Sequence, residues 1–342
     1  MKPILSPFSE KTLNVQSRKE KITFRKEEFE VVYHFYEDLG QEFTTPETDE
    51  LTLLQVYNQY REKYKLPFPE QIKAIREKYE LSASKMSEVL GLGINVYRQY
   101  ESGEMPNQSN ARLIQLANDP EEFRKLILLS DAFQEKELDR VLKRVDGLIQ
   151  AEKQISFDDL LSEYVLGNIE KLSSTNGYKQ PTIQKTMQVI CYLVDKLKPW
   201  KTGLNKLLFY TDFLHYHNNG VALMGLEYRA IQHGTVPTNY EMLLAYTSQK
   251  GFIEAKQKES ANGFIGEQYF LGEESQTTES TFTPLELQTL EKVVELFKGK
   301  TTKQIVEINH LESAWIDNQE LKRVVDYEFA FGLRGEGISF YN

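Results

Sequence analysis

The chain has 342 residues, and its 51 acidic against 41 basic side chains leave a formal net charge of -10. That length suits two or three domains of about 150 residues each, and the acidity argues against wholesale coating of nucleic acid. One cysteine, Cys191, excludes an intrachain disulfide and a cysteine-rich zinc site, and no apolar run reaches the roughly 18–20 residues of a membrane span.

The start, "MKPILSPFSEKTLNVQ", holds no continuous apolar signal-peptide core, so a cytoplasmic protein is expected. "KITFRKEEFEVVYHFYEDLGQEFTT" alternates apolar and polar residues, with Phe29, Val31, Tyr33 and Phe35 on one parity. "EDLG" reads as the turn between two strands. A short helix follows around "DELTLLQVYNQYREKY", and "LPFPE" breaks it.

From Pro69 to about Ser130 the pattern predicts four or five short helices. Ile72, Ile75 and Tyr79 share a face, Ser82 caps "ASKMSEVL", Gly103 stops "INVYRQYES", and Pro120 opens "PEEFRKLILLS". Residues 134–153 form a charged amphipathic helix with a stripe of Leu138, Leu142, Val145 and Ile149. Ser156 and Asp159 fit a capping box, and "SSTNGYKQP" at 173–181 reads as the main linker.

Residues 182–330 read as a second large, mostly helical unit. "TIQKTMQVICYLVDKL" and "TGLNKLLFYTDFLHYHNNG" are helices, and Cys191 sits in the first as a buried, inert thiol. "ALMGLEYRAIQHGTVP" reads as an irregular connection to a helix capped by Thr238 with Glu241 at N3. "GFIEAKQKESANGFIGEQYFL" reads as a two-stranded hairpin, and Thr283, Pro284 and Glu286 start a further helix. "RGEGISFYN" reads as a loose tail.

The stretch "LSASKMSEVLGLGINVYRQYESG" has what a DNA-reading helix-turn-helix needs. Ala83 is small where helices pack, Leu90 and Tyr97 fill the space between them, and the glycines permit a sharp turn. Asn95, Arg98 and Gln99 then stand at the exposed start of the second helix, where Asn and Gln suit adenine and Arg suits guanine or phosphate. Asn107, Gln108, Ser109 and Arg112 could hold phosphates, as could Lys85. A helical hairpin that never meets DNA is the plain alternative. Between 84 and 112, Lys85, Arg98 and Arg112 balance Glu88, Glu101 and Glu104, so one copy would bind DNA weakly and a homodimer on a palindrome is expected.

Residues 69–118 resemble the Xre-type helix-turn-helix, in particular that of MqsA-type antitoxins. In that family an Asn at the place of Asn95 and an Arg at the place of Gln99 read bases, so Gln99 implies a different operator. Glu101 matches a glutamate that packs structurally. Residues 20–66 resemble the second half of the N-terminal zinc domain of MqsA-type proteins without its cysteines. His34 alone cannot make a tetrahedral site, so no zinc is expected.

Lys206, Tyr210, Asp212, His215, His217, Tyr228, Arg229, His233 and Tyr240 look unlike core filler. Asp212 and His215 lie one helical turn apart, and with His233 they could line a pocket or bind a metal. Polar residues that satisfy one another are the plain alternative. "LNKLLFYTDFLHYHNNGVALMGLEYRAIQHGTVPTNYEMLLAY" resembles the Panacea (SocA-like) domain, whose usual run is KLLY-x-x-DF-x-H followed by Y-x-A-x-x-x-GPVP. Lys206 to His215 match the first part; Gly225, Tyr228, Ala230, Gly234, Val236 and Pro237 match the second. Thr235 replaces the first proline. Such domains occur in antitoxins and are not known as enzymes.

The expected fold class is therefore mainly α: a small N-terminal β-ribbon module (1–66, cysteine-less), an Xre-type helix-turn-helix (67–130), a helical linker (131–180), a mostly helical Panacea domain with a small β-hairpin (181–332), and a tail (333–342). The resemblance implies an antitoxin of a type II toxin–antitoxin system that neutralises a cognate protein toxin and represses its own operon. The alternatives are a ligand- or partner-responsive transcription regulator without a toxin, and a metal-dependent enzyme tethered to a DNA-binding domain. Expected DNA-binding residues are Lys85, Asn95, Arg98, Gln99, Asn107, Gln108 and Arg112. Expected toxin-binding residues are Lys206, Tyr210, Asp212, His215, Tyr228, Arg229, His233 and Tyr240. No catalytic residue, metal, cofactor or membrane contact is expected, and the protein would be cytoplasmic, nucleoid-associated when DNA-bound.

Overall fold

Strands β1 (Ile4–Leu5) and β2 (Thr12–Leu13) pair with each other, and β3 (Gln16–Phe24), β4 (Glu27–Asp38) and β5 (Gln41–Phe43) form an antiparallel sheet with β4 in the middle. The computed structural model describes residues 3–154, 157–167, 171–259, 263, 265–275 and 279–334. The "EDLG" turn is present: Asp38 pairs with Gln41, and Leu39 and Gly40 take positive φ values of 52° and 76°, as a two-residue hairpin turn requires. Phe29, Val31 and Phe35 are buried as their parity suggests, and Tyr33 is half-buried. Val32, His34 and Tyr36, on the other parity, are buried too, so this part of β4 is covered on both faces. Gln55 of helix α1 (Pro46–Tyr64) explains one cover: its side chain accepts from the Val32 amide at 2.9 Å and donates to the Val32 carbonyl at 3.0 Å.

Helices α2 (Pro69–Lys78), α3 (Ala83–Val89), α4 (Val96–Glu101), α5 (Gln108–Leu116), α6 (Pro120–Leu129) and α7 (Glu135–Glu152) follow. Their boundaries obey local chemistry. Ser82 accepts from the Lys85 amide, Asn107 from the Asn110 amide, and Asp119 from the Glu121 and Glu122 amides ahead of Pro120. Helix α8 (Phe157–Leu166) comes next; the expected cap at Ser156 lies outside the described residues, as does the tail from 335 onward.

A short 3-10 turn (Ser174–Asn176) leads to α9 (Ile183–Leu197) and α10 (Lys201–Asn219). Then come β6 (Tyr228–Ile231), β7 (Gly234–Pro237), α11 (Tyr240–Gln249), β8 (Ile253–Glu259), β9 (Ile265–Leu271), α12 (Pro284–Phe297), α13 (Thr302–His310), α14 (Ser313–Ile316), β10 (Val324–Val325) and a 3-10 helix (Tyr327–Gly332). The fold is mainly α with small antiparallel sheets. The expected hairpin is β8–β9, and Thr283, Pro284 and Glu286 build the cap of α12.

Three expectations need correction. The "irregular" stretch before α11 contains the β6–β7 hairpin, extended by β10 to the order β10-β6-β7. The N-cap of α11 is Asn239, not Thr238, and its side chain makes no cap bond. The "SSTNGYKQP" linker is docked: Asn176 and Tyr178 are buried, Ser174 bonds Asp326, Thr175 donates to Glu227 at 3.0 Å, and the Gly177 carbonyl accepts from the Ala222 amide at 2.9 Å. Polar, turn-rich composition marks a loop but does not say whether the loop finds partners.

The chain forms two compact units that are not consecutive in sequence: residues 1–56 with 161–342, and residues 57–160. In the second, Ile72, Ile75, Tyr79, Tyr97, Ile114, Phe123 and Ile127 share one core with Val141 and Val145 of α7. In the first, the N-terminal sheet meets the C-terminal domain. His34 packs against the rings of His217 and Phe331 at 6.1 and 5.4 Å, and Lys19 pairs with Glu328 at 2.8 Å.

Candidate functional site

Helix α10 is buried along its length from Gly203 to His217. A helix buried on every side must find internal partners for each polar side chain. Helices α9, α12 and α13, strands β7 and β9 and the last 3-10 helix all pack on it. Lys206, Tyr210, Asp212 and His215 in particular brace α10 to elements elsewhere in the chain.

Asp212 is the most heavily used. Its carboxylate accepts from the Met224 amide at 2.6 Å, the Leu226 amide at 3.3 Å, and the hydroxyls of Tyr228 and Tyr327, each at 3.0 Å. Burial pushes its pKa up, and the four donors oppose that rise. Each tyrosine hydroxyl also faces a carbonyl: Leu208 for Tyr228 at 2.9 Å and Leu226 for Tyr327 at 2.7 Å. Asp212 thus ties α10 to the loop after it, to β6 and to the final 3-10 helix.

Lys206 has no exposed surface, and its ammonium donates to the Thr235 carbonyl at 2.9 Å. Burial lowers its pKa to about 7. Thr235 is held a second time by Asn309, which accepts from its amide at 2.7 Å and donates to its hydroxyl at 2.8 Å. A proline at 235 would have neither group, so Asn309 is the complement of the residue by which this chain departs from the Panacea pattern. Tyr210 donates to Glu312 at 3.2 Å, and burial pushes its pKa up. His215 lies 2.9 Å from the Thr289 hydroxyl, with its pKa lowered to about 4 by burial.

Of the residues singled out in this domain, Lys206, Tyr210, Asp212, His215 and Tyr228 are thus internal. Arg229 and His233 are exposed and Tyr240 is half-buried. Asp212 and His215 have different bonding partners, and no group of three or more His, Cys, Asp or Glu side chains among the described residues is arranged to hold a metal. Cys191 is buried, its thiol faces the Phe252 carbonyl at 3.7 Å, and burial pushes its pKa up to about 11. Asn309, Tyr327, Glu312 and Thr289 were not singled out by sequence. For Thr289 and Asn309 the signal is a polar residue on the buried face of a helix; Glu312 and Tyr327 lie at a helix cap and in a 3-10 turn and carry no such signal.

The glycines of the matching pattern have a physical cause. Gly225 has φ of +80°, and a Cβ there would stand 2.3 Å from the Lys179 carbonyl oxygen; one at Gly234 (φ +97°) would stand 2.2 Å from the Asn309 amide oxygen. Gly225→Ala should cost about 3 kcal/mol or more, adding left-handed strain to a collision with backbone. Gly299→Ala, with φ of +79° and nothing within 4 Å, should cost only the ~1–2 kcal/mol of the conformation. Urea melts of the two variants check the difference.

In the helical unit, Gly91 (φ +62°) turns the chain between α3 and α4. Leu90 and Tyr97 are buried, and the Tyr97 hydroxyl donates to the Ile72 carbonyl at 2.7 Å. At the N-terminal end of α4 the Tyr97 amide donates to the Ser87 hydroxyl at 3.2 Å; at the C-terminal end Glu101 pairs with Arg76 at 2.5 Å and buried Arg61 donates to the Gly103 carbonyl at 2.7 Å, so both ends of α4 are anchored. Asn95, Arg98, Gln99, Asn107, Gln108 and Arg112 are exposed. Among the described residues neither Arg98 nor Arg112 is held in an ion pair. Lys85 differs: its ammonium bonds Glu88 at 2.9 Å and the Ala132 carbonyl at 2.6 Å. Asn107 spends its side chain on the α5 cap.

The C-terminal sequence is matched by a family model. Residues 204–316 fit the family model described as "Antitoxin SocA-like, Panacea domain", which makes the C-terminal part the helical Panacea domain. No curated protein and no solved structure matches the chain. No helix among the described residues is long and apolar enough to cross a membrane.

Proposed function

We propose that this protein is the antitoxin of a toxin–antitoxin pair, neutralising a cognate protein toxin through its C-terminal domain and repressing its own operon through residues 57–160. The match of residues 204–316 to an antitoxin domain family carries this reading. On it, a toxin meets exposed Arg229 and His233 and half-buried Tyr240, while Lys206, Tyr210, Asp212, His215 and Tyr228 shape that surface from inside. The net charge of -10 suits a basic partner.

The DNA-reading part rests on α4, where exposed Asn95 stands at the N-cap and exposed Arg98 and Gln99 lie on a helix held at its N-terminal end through Tyr97 and at its C-terminal end through Glu101. Lys85 and Asn107, already engaged, contribute less than Arg98, Arg112 and Gln108. A homodimer on a palindromic operator would offset the weak charge of one copy.

Expression of the neighbouring open reading frame alone should arrest growth, and coexpression with this protein should restore it. A harmless neighbour would remove the antitoxin reading and leave a ligand-responsive regulator. Asn95→Ala with Gln99→Ala should weaken operator binding by about 1–3 kcal/mol per lost base contact and leave growth rescue intact. Joint loss of both activities would overturn the division of labour.

A further inference from the structure

A cleft of about 430 Å³ opens between the N-terminal sheet and the end of the C-terminal domain, lined by Lys19 and Val32 on one side and by Asp317, Glu328, Phe329 and Phe331 on the other. That size is within the ~300–1,000 Å³ of ordinary ligand pockets. Val32 and Phe331 are buried and Phe329 is half-buried, so the walls are largely apolar and aromatic.

The cleft is lined by two cations, Arg18 and Lys19, and two carboxylates, Asp317 and Glu328. Lys19 is neutralised twice, by Glu328 at 2.8 Å and Glu30 at 3.0 Å. Arg18, also at the rim, is neutralised by Glu42 at 2.7 Å and Glu20 at 3.3 Å. Both cations that line the cleft are thus already engaged. Of the two lining carboxylates Glu328 is engaged by Lys19, whereas Asp317 is exposed and without an ion-pair partner among the described residues. An anionic occupant would meet no uncommitted cation here. A cation would find an open carboxylate, and aromatic rings beneath its stem give it a further attraction. Ile316, next to Asp317 in sequence, and Leu321, four residues on, are 47% and 66% exposed.

We propose that this cleft is the anchor pocket for the toxin, receiving an arginine side chain of the partner with its guanidinium on Asp317 and its stem against Phe329 and Phe331, while Ile316 and Leu321 meet apolar residues that flank the arginine. A long cationic anchor in a central pocket, ringed by apolar contact, is the usual form of a dominant interface residue. The inference rests on the antitoxin reading. It also gives the N-terminal sheet a role: it supplies one wall of the toxin site, so that site is incomplete in residues 161–342 alone.

The test uses the full chain and the purified product of the neighbouring gene, with affinity measured by calorimetry and rescue measured by growth. If the wild type neither binds nor rescues, the antitoxin reading fails. If the wild type does both, Asp317→Lys should weaken binding at least tenfold and Asp317→Asn by a smaller factor. Exposed Asp317 has no internal ion pair to lose, so both variants should melt like the wild type. Charge reversal of one toxin arginine to glutamate should restore binding to Asp317→Lys. A wild-type affinity in Asp317→Lys, or no arginine reversal that restores it, would overturn the anchor while leaving the antitoxin reading intact.

Discussion

Asp212→Ala is expected to unfold the C-terminal domain or to leave it about 3–5 kcal/mol less stable, the loss typical of removing one partner from a buried charged network. The carboxylate serves two backbone amides and two tyrosine hydroxyls. The hydroxyls of Tyr228 and Tyr327 can turn to the carbonyls of Leu208 and Leu226. The amides of Met224 and Leu226 bond the Asp212 carboxylate itself, and a buried orphan donor costs about 1–3 kcal/mol. The vacated volume adds to this. Tyr228→Phe and Tyr327→Phe should each cost much less, about 1 kcal/mol, because each removes one hydroxyl and leaves the amides satisfied. Urea melts of the three variants decide the matter. Equal losses would mean that Asp212 is not the centre of the cluster.

Lys206→Met is expected to stabilise the protein at neutral pH. Burial lowers the lysine pKa from the ordinary 10.5 to about 7 in the folded chain. Below about pH 7 both folded and unfolded chains carry the proton, and the folded one bears the full penalty of a buried charge. Between about pH 7 and 10.5 the unfolded chain keeps a proton that the folded chain has released, so stability rises with pH across that window. The span from about 7 to 10.5 corresponds to a ceiling on the order of 5 kcal/mol. Methionine removes that penalty and leaves the Thr235 carbonyl without its donor, a loss of about 1–3 kcal/mol. The net gain near pH 6–7 should be about 2–4 kcal/mol. It should shrink as pH rises and change sign between about pH 8 and 10, where the remaining penalty falls below the loss at Thr235. Melts of both proteins from pH 6 to 10 show this directly. A difference that does not change with pH would mean that Lys206 is not buried as a charge.

Why a chain would retain such a lysine follows from its position. Its stem passes beneath Gly234, and its ammonium reaches the backbone of β7, next to exposed Arg229 and His233 on the same hairpin. It trades stability for a fixed hairpin, and Lys206→Met should loosen that hairpin while stabilising the domain as a whole.

Much of the local structure was legible in the residues because its causes lie within a few positions. The "EDLG" turn, the Ser82 cap, the Pro120 start and the Thr283 box each depend on neighbours at most four residues away. The β6–β7 hairpin was missed because its strands have four residues each and its third strand, β10, lies about ninety residues on. The same distance hid Asn309 and Tyr327, whose partners are 74 and 115 residues away.

The sequence by itself determined where the helices and turns begin and end, which residues were too polar for the pattern around them, and the Panacea pattern that the family match bears out for residues 204–316. Only the tertiary structure decided that those polar residues are internal braces. Whether Lys206 or Asp212 faces solvent depends on how many elements close around α10, and no local periodicity encodes that. It also decided that residues 1–56 belong with 161–342. The apolar face of β4 can be read from alternation, but its partner is set by which distant surface buries the most area and satisfies the most hydrogen bonds, and that is a property of the whole chain.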